Sequence, residues 1–423
     1  MSVDFYKETE FKEVDLNGKV VEIPKDWEVV KLIDYVNVLK GFAFSSKFFN
    51  ENGKGIPIIR IRDLGKNKTE AYYSGPYDPL YIVESGDLLV SMDGEFNIYI
   101  WKGPRGLLNQ RVCKIWTKDA MKLDNMYLYY SLKKPLKFIE AQTSQTTVKH
   151  LLDRDIERIK IPLPPLPEQQ KIAEILSTID KAIELTDKII AKTERLKKGL
   201  MQELLSGRIR VKVENGRISF YKETQFENAE IGKVPEDWKV VRLGNYADVI
   251  MGQSPPSSTY NTEQNGLPFL QGCAEFGEIY PKPKIYCSNP IKIAEPNDIL
   301  LSVRAPVGEV NIAPFKCCIG RGLSAIRTKE NKLHYMFLFY YLKFNGKVFE
   351  KIATGSTFKA IKKNDIENLQ ILRPPLEEQK KIAQILSTVD KKLEIERKEK
   401  EKLERIKKGL MDILLTGKVR VRV

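Results

Sequence analysis

Pro165-Leu166-Pro167-Glu168-Gln169-Gln170-Lys171-Ile172-Ala173-Glu174-Ile175-Leu176-Ser177-Thr178-Ile179-Asp180 returns downstream as Pro375-Leu376-Glu377-Glu378-Gln379-Lys380-Lys381-Ile382-Ala383-Gln384-Ile385-Leu386-Ser387-Thr388-Val389-Asp390. The likeness continues through Lys-Lys-Gly-Leu-Met to Gly207-Arg208-Ile209-Arg210-Val211-Lys212-Val213 against Gly417-Lys418-Val419-Arg420-Val421-Arg422-Val423. About three in five positions agree across the blocks 165–213 and 375–423, so the chain carries an internal duplication. Within the first block, Ile172, Leu176, Ile179, Ile183, Ile190, Leu200 and Leu204 recur at spacings of three and four or their sums. That period predicts a helix over ~168–206, opened by the preceding prolines and stopped by Gly207. The second block repeats it over ~378–416 with Ile382, Leu386, Val389, Leu393, Leu403, Leu410 and Leu414, stopped by Gly417. Each helix is roughly 55 Å long at 1.5 Å per residue, and neither can bury its stripe alone. They are expected to pair as an antiparallel coiled coil, with a thin seam through the charged stretch Glu394–Glu401.

Working outward, a second repeated block opens each half. Phe5-Tyr6-Lys7-Glu8-Thr9 recurs as Phe220-Tyr221-Lys222-Glu223-Thr224, and Ile23-Pro24-Lys25-Asp26-Trp27 as Val234-Pro235-Glu236-Asp237-Trp238. The stretches between diverge, leaving traces such as Gly86–Ser91 against Asn297–Ser302. Constant flanks do one job twice, whereas variable centres are free to bind two different things. Short β-branched runs (Ile56–Ile61, Leu88–Val90, Asn97–Trp101, Ile299–Val303) and aromatic helical patterns near Met126–Leu132 and Tyr335–Leu342 make each centre an α+β domain. The expected organisation is a repeated N-terminal segment (1–24), a first domain (25–164), a first long helix with basic tail (165–213), a linking repeat (214–235), a second domain (236–374) and a second long helix with tail (375–423). The alternating Arg208, Arg210, Lys212 and Lys418, Arg420, Arg422 read as two strand faces, solvated edges that resist aggregation.

Composition bounds the function. The 423 residues are 42% hydrophobic, enough for ordinary cores, and carry a net charge of +14. Such charge suits a polyanionic partner. No apolar run reaches the ~18 residues of a bilayer span, and no leader pattern opens the chain, so a cytoplasmic location is expected. Five cysteines without a CxxC pair and two histidines far apart supply no metal set and no disulfide framework. Every Gly-Lys pair lacks the following Ser or Thr of a phosphate-binding loop. The nearest approach to an adenine-methyltransferase motif, Ser254-Pro255-Pro256-Ser257, lacks the aromatic that would stack on a flipped base. The chain itself is expected to be non-catalytic, with no metal and no cofactor.

The arrangement closely resembles the specificity subunit of Type I restriction-modification enzymes. The motifs that carry the resemblance are Ile23-Pro24-x-x-Trp27 with Val234-Pro235-x-x-Trp238, the doubled Pro-Leu-x-Glu-Gln block, and Gly355-Ser356-Thr357 before the second helix. The first half departs at that last point, with Thr143-Ser144-Gln145-Thr146-Thr147 in place of the glycine. The resemblance implies two target-recognition domains reading a bipartite asymmetric double-stranded DNA site, and paired helices that set the gap and dock two methyltransferase subunits. A restriction/translocase subunit joins them, and S-adenosylmethionine, ATP and Mg2+ belong to those partners.

Base edges are read by Arg, Lys, Asn and Gln, whereas phosphates take Lys, Arg, Ser and Thr. In the first domain the candidates are Arg60 and Arg62, two apart on one strand face, Asn109-Gln110-Arg111 in a turn, and the donor-rich Thr143, Ser144, Gln145, Thr146, Thr147 and Lys149. In the second they are Gln253, Gln271, Arg304 and Arg321, with Ser356, Thr357, Lys359, Lys362 and Lys363. The Ser/Thr stretches read either as phosphate contacts or as helix caps before Leu151 and Ile361. Two other readings stay open: a stand-alone duplicated DNA-binding regulator, and an RNA-binding scaffold, although no RNA-binding signature is present.

Overall fold

The computed structural model describes residues 4–143, 149–214, 217–229, 232–329, 331–354 and 360–422. The chain forms two compact units, Met1–Thr186 with Glu399–Val423, and Asp187–Lys398. In the first unit a four-stranded sheet runs in the order Ile98–Ile100, Leu88–Ser91, Val112–Thr117, Val36–Lys40. Beside it lies a five-stranded sheet ordered Phe49–Asn50, Tyr72–Tyr73, Ile56–Ile59, Gly106–Leu108, Ile82–Val83. The second unit repeats both. Its four-stranded sheet follows Ala247–Met251, Leu323–Thr328, Ile299–Ser302, Val310–Ile312. Its five-stranded sheet follows Tyr260–Asn261, Ile285–Cys287, Leu267–Leu270, Cys317–Ile319, Ile293–Ala294. Both predicted aromatic helices form, as Asn125–Gln142 and Tyr335–Phe344.

The long helices span Leu166–Leu205 and Leu376–Leu414. Each unit's core takes the first turns of one and the last turns of the other. Ile172, Leu176 and Leu414 join Trp27, Tyr127 and Tyr130 in the first core. Ile382, Leu386 and Leu204 join Trp238, Phe337 and Tyr340 in the second. Side chains cross directly between the helices inside each unit. In the first, Asp180 pairs with Lys407. In the second, Lys197 pairs with Asp390, and Glu194 with Arg397 at 2.7 Å. Low numbers on one helix meet high numbers on the other, so the pair is antiparallel. Every expected seam position is buried or half-buried. The heptad is completed by polar residues the apolar pattern skips: Thr186, Thr193 and Lys197 are buried, and Glu396, Lys400 and Lys407 are half-buried. Leu196, by contrast, lies off the seam and is 55% exposed.

The repeated motifs form one joint in each unit. Trp27 Nε1 donates to Glu168, and Trp238 Nε1 to Glu378. The following glutamine, Gln169 or Gln379, ties the backbone before its helix: each amide donates at 2.8 Å to the carbonyl of Pro164 or Pro374, and each carbonyl oxygen accepts a backbone N–H, of Asp124 or His334. Gly417 and Gly207, both with left-handed backbone, lie where a Cβ would strike Pro24 and Pro235 at 2.4–2.5 Å. The motif is therefore a packing unit in which proline, tryptophan and glycine share one seat.

The basic tails correct the sequence reading. They do form strands, Ile209–Glu214 paired with Arg217–Lys222, and Val419–Val421 paired with Phe5–Lys7. Their central arginines are not solvated: Arg210 is 4% and Arg420 8% exposed. Arg420 bonds Glu168 at 2.7 and 3.0 Å, Asp26 at 2.7 and 2.9 Å, and Glu8 at 2.9 Å. Arg210 repeats this with Glu378, Asp237 and Glu223 at 2.7–2.9 Å. Desolvation alone would forbid a lone guanidinium here, but three carboxylates make the site anionic without it. Arg208, Lys212, Lys418 and Arg422 are the exposed members.

Candidate nucleic-acid interface

In each unit the variable domain ends in a backbone knot where three strand ends and a turn meet. In the second unit Gly252 N–H donates to Leu323 O, Gln253 N–H to Ile319 O, Gly320 N–H to Leu270 O, Val303 N–H to Gly322 O and Ile361 N–H to Val303 O, all at 2.8–3.0 Å. The first unit makes the same five bonds: Gly41 to Val112, Phe42 to Leu108, Asn109 to Ile59, Met92 to Arg111 and Leu151 to Met92, at 2.7–3.2 Å. Chains approach so closely that a Cβ on Gly252 would lie 2.2 Å from the Gly320 carbonyl oxygen, and one on Gly41 1.9 Å from that of Asn109. Glycine is required at both positions.

The knot gathers most of the second domain's candidates. Gln253, Gln271, Arg304 and Arg321 leave it from four different segments, and all four are exposed. Lys362 and Lys363 follow Ile361, and Lys363 pairs with Glu367 at 3.5 Å. Ser254 braces the turn by accepting the Arg321 N–H at 3.2 Å, so the Ser-Pro-Pro-Ser run is a structural loop. Ser356, Thr357 and Lys359 lie outside the described residues, as do Ser144, Gln145, Thr146 and Thr147.

The first domain's candidates divide. Gln110 is exposed, and Arg111, with left-handed backbone (φ 74°), reaches Asp93 at 2.5 Å. His150 Nδ1 lies 2.6 Å from the same carboxylate, so the three side chains meet on the knot's surface. Asp93 and His150 were missed by sequence reasoning. Their bridge joins residues 57 apart, and only an Arg-His-Asp coincidence across three segments could have signalled it. Arg60 and Arg62 do not share a strand face, since Ile61–Asp63 is a single 3-10 turn. The Arg60 guanidinium folds onto buried Asp63 at 3.1 Å, while Arg62 is exposed. Asn109 is 8% exposed and serves the knot's backbone. Thr143 and Lys149 both finish the helix Asn125–Gln142: the hydroxyl donates to Ile139 O at 2.9 Å and the ammonium to Glu140 O at 2.7 Å.

Four of the five cysteines take no part in this surface chemistry. Cys113, Cys287, Cys317 and Cys318 are buried free thiols, and burial pushes the Cys113 thiol up to about 12. Among the described residues no cluster of His, Cys, Asp or Glu could hold a metal ion, and no helix is long and apolar enough to cross a membrane.

Comparison with known proteins agrees with this doubled build. The family model of the Type I restriction modification DNA specificity domain matches twice, at residues 24–195 and 235–405. Over 99% of both chains, the sequence is 41% identical to the Methanocaldococcus jannaschii protein assigned as the MjaX type I restriction enzyme specificity subunit. It is 31% identical to the Escherichia coli EcoBI specificity subunit, over 88% of this chain and 81% of that one. A chain from a solved type I R-M assembly superposes with a TM-score of 0.53 at 28% identity, covering 94% of this chain and 99% of that one. With both copies of the domain matched and full-length relatives above 30% identity, the chain belongs to the family of specificity subunits of Type I restriction-modification systems, their non-catalytic DNA-recognition component.

Proposed function

We propose that this chain reads a bipartite, asymmetric double-stranded DNA site through its two knots, one half-site each, and directs adenine methylation and restriction by partner subunits. The observation that carries the reading is the duplicated backbone knot bearing different side chains: Phe42, Asp93, Gln110 and Arg111 in one copy stand where Gln253, Arg304, Arg321 and Gly322 stand in the other. One scaffold with two chemistries suits a site whose halves differ. Arg62, Lys362 and Lys363 supply further cations for phosphates, and the net charge of +14 supports the same partner. The Ser/Thr stretches 144–147 and 356–357, with Lys359, lie outside the described residues, and their residue types suit phosphate contacts.

Two methyltransferase subunits dock, one on each unit. A shallow groove of about 550 Å³ in the second unit is lined by Leu196, Gly199, Leu200 and Phe220, with Leu196 and Phe220 over half exposed. The first unit carries Ile406 and Phe5 at the repeated positions, 41% and 44% exposed. Apolar side chains kept in water twice over, one on a long helix and one on the neighbouring strand each time, suit two copies of one partner. S-adenosylmethionine, ATP and Mg2+ belong to those partners, and the complex acts in the cytoplasm. The helix pair fixes the spacer, placing the half-sites roughly one DNA turn, about 34 Å, apart.

The test is a genome-wide map of methylated adenines in cells expressing this chain with its methyltransferase. A split motif with unlike halves is expected, and exchange of residues 25–160 for those of a relative should change one half alone. A motif altered in both halves, or no methylation, would overturn the reading.

A further inference from the structure

The structure assigns base identity in the second half-site to four side chains, Gln253, Gln271, Arg304 and Arg321, and gives them purine contacts. This assignment rests on the reading that the knots face DNA and goes further, because it names which groups discriminate and for what.

Position is fixed by backbone. Each of the four sits on or next to a residue whose N–H or C=O is spent in the knot: Gln253 N–H on Ile319, Leu270 O on Gly320 N–H, Val303 on Gly322 and Ile361, and Arg321 N–H on the Ser254 hydroxyl. Their Cα atoms therefore cannot drift, whereas the side chains themselves are exposed and, within the described residues, make no hydrogen bond or ion pair. Long polar groups on a rigid base with no partner of their own are ready for an external one, since little order needs to be created on binding. Arginine matches guanine O6 and N7 with two donors, and glutamine matches adenine N6 and N7 with one donor and one acceptor.

The first knot supplies the contrast. At the position of Arg304 stands Asp93, at that of Gly322 stands Arg111, and at that of Ala360 stands His150, all three tied together at 2.5–3.4 Å. Arg60, at the position of Gln271, is committed to Asp63. So the same sites that offer four free purine readers in one copy offer a tethered carboxylate, an acceptor suited to cytosine N4, and the neighbouring Gln110 in the other. The two half-sites differ in kind as well as in sequence.

The experiment uses the full chain reconstituted with its methyltransferase subunits and duplexes carrying the mapped motif. R304Q and R321Q are each expected to relax one position of the second half-site, losing roughly 5- to 150-fold in preference for the native base. The first half-site and the spacer should stay as in wild type. Q110R tests the transfer: it should change one position of the first half-site only. Melting temperatures should not move, because the substituted groups are exposed. Uniform weakening on all duplexes, with the salt slope reduced by about one, would show that the arginines hold phosphates and would overturn the assignment. An unchanged motif in both arginine variants would overturn it equally. Failure of the wild-type complex to select any split site would instead strike the function proposed above.

Discussion

Arg420→Met removes the cation at the centre of the first unit's joint and leaves its shape nearly filled. Glu168, 3% exposed, then keeps a carboxylate with Trp27 Nε1 at 3.2 Å as its remaining side-chain donor. Removing one member of a buried ion pair costs about 3–5 kcal/mol, because the stranded charge dominates the loss. Asp26 contributes little to this figure, since its side chain is 55% exposed and water replaces the arginine there. For a unit of this size each kcal/mol moves the midpoint by roughly 2–4 °C, so a drop of about 6–20 °C is expected by calorimetry. D26N should cost under about 1 kcal/mol. Adding E168Q to R420M should restore a large part of the loss, since an amide in that seat carries no charge to strand. The reasoning fails if R420M melts like D26N, or if E168Q adds a further loss on top of R420M.

Other consequences follow from the same geometry. L196E and I406E place a charge on the exposed apolar patches, and each should cut methyltransferase capture from two copies per chain to one without shifting the melting temperature; two copies bound by either variant would refute the docking surface. Glu8 and Glu223 are held below the usual carboxylate range, first by backbone N–H groups of Glu10 and Gln225 and then by Arg420 and Arg210. A lowered folded-state value contributes stability above the unfolded value of about 4.3 and loses it as pH falls through the folded one, so the contribution of these two carboxylates should hold down to about pH 5 and be lost as an acid limb of the melting temperature below about 4. E8Q should soften that acid limb, and an identical limb would show that Glu8 is not part of it. Deleting one heptad from the charged middle of both long helices removes about 10 Å of rise, and the methylated motif should lose about three base pairs of spacer; an unchanged spacer would refute the ruler.

The duplication, both long helices and their seam were legible because a heptad is a local, repeated signal that survives without knowledge of partners. The same locality explains what was hidden. Arg210 and Arg420 alternate with valines as a solvated strand would, and the buried glutamates they meet at the helix starts sit 168 and 252 residues away in sequence. A signal was present all the same: one arginine, two glutamates and one aspartate occur at matching places in both copies. Arg60 was misplaced for a different reason, since Asp63 three residues on converts an apparent strand end into a capped turn. The knot itself was not read from the sequence, although Gln253, Arg304 and Arg321 on it were singled out; its close backbone approaches are carried by Gly252, Gly320 and Gly322. What they approached, and the Asp93–His150–Arg111 trio, depended on long-range pairing that no window of sequence contains.

The two joints are chemically alike but covalently unlike, and that difference can be used. In the second unit every member, from Arg210 to Glu378, lies inside Asp187–Lys398. In the first, the N-terminal strand Phe5–Lys7 and the helix start at Glu168 are locked by a residue from the far end of the chain, Arg420, so the unit closes only when the last strand returns to the first. Stopping the chain after Gly417 therefore removes one joint and spares the other. It exposes the edge of Phe5–Lys7 and strands the Glu168 carboxylate, while Leu414 and Leu415 remain in the core. Calorimetry of the truncated chain should show a transition lowered by at least as much as in R420M, with the second at its wild-type temperature. Hydrogen exchange should localise the loss to Phe5–Lys7 and the first turns of Leu166–Leu205, leaving Ile209–Glu214 protected. Equal loss at Ile209–Glu214 would mean that the joints do not act independently, and the picture of two self-contained recognition units would have to be given up.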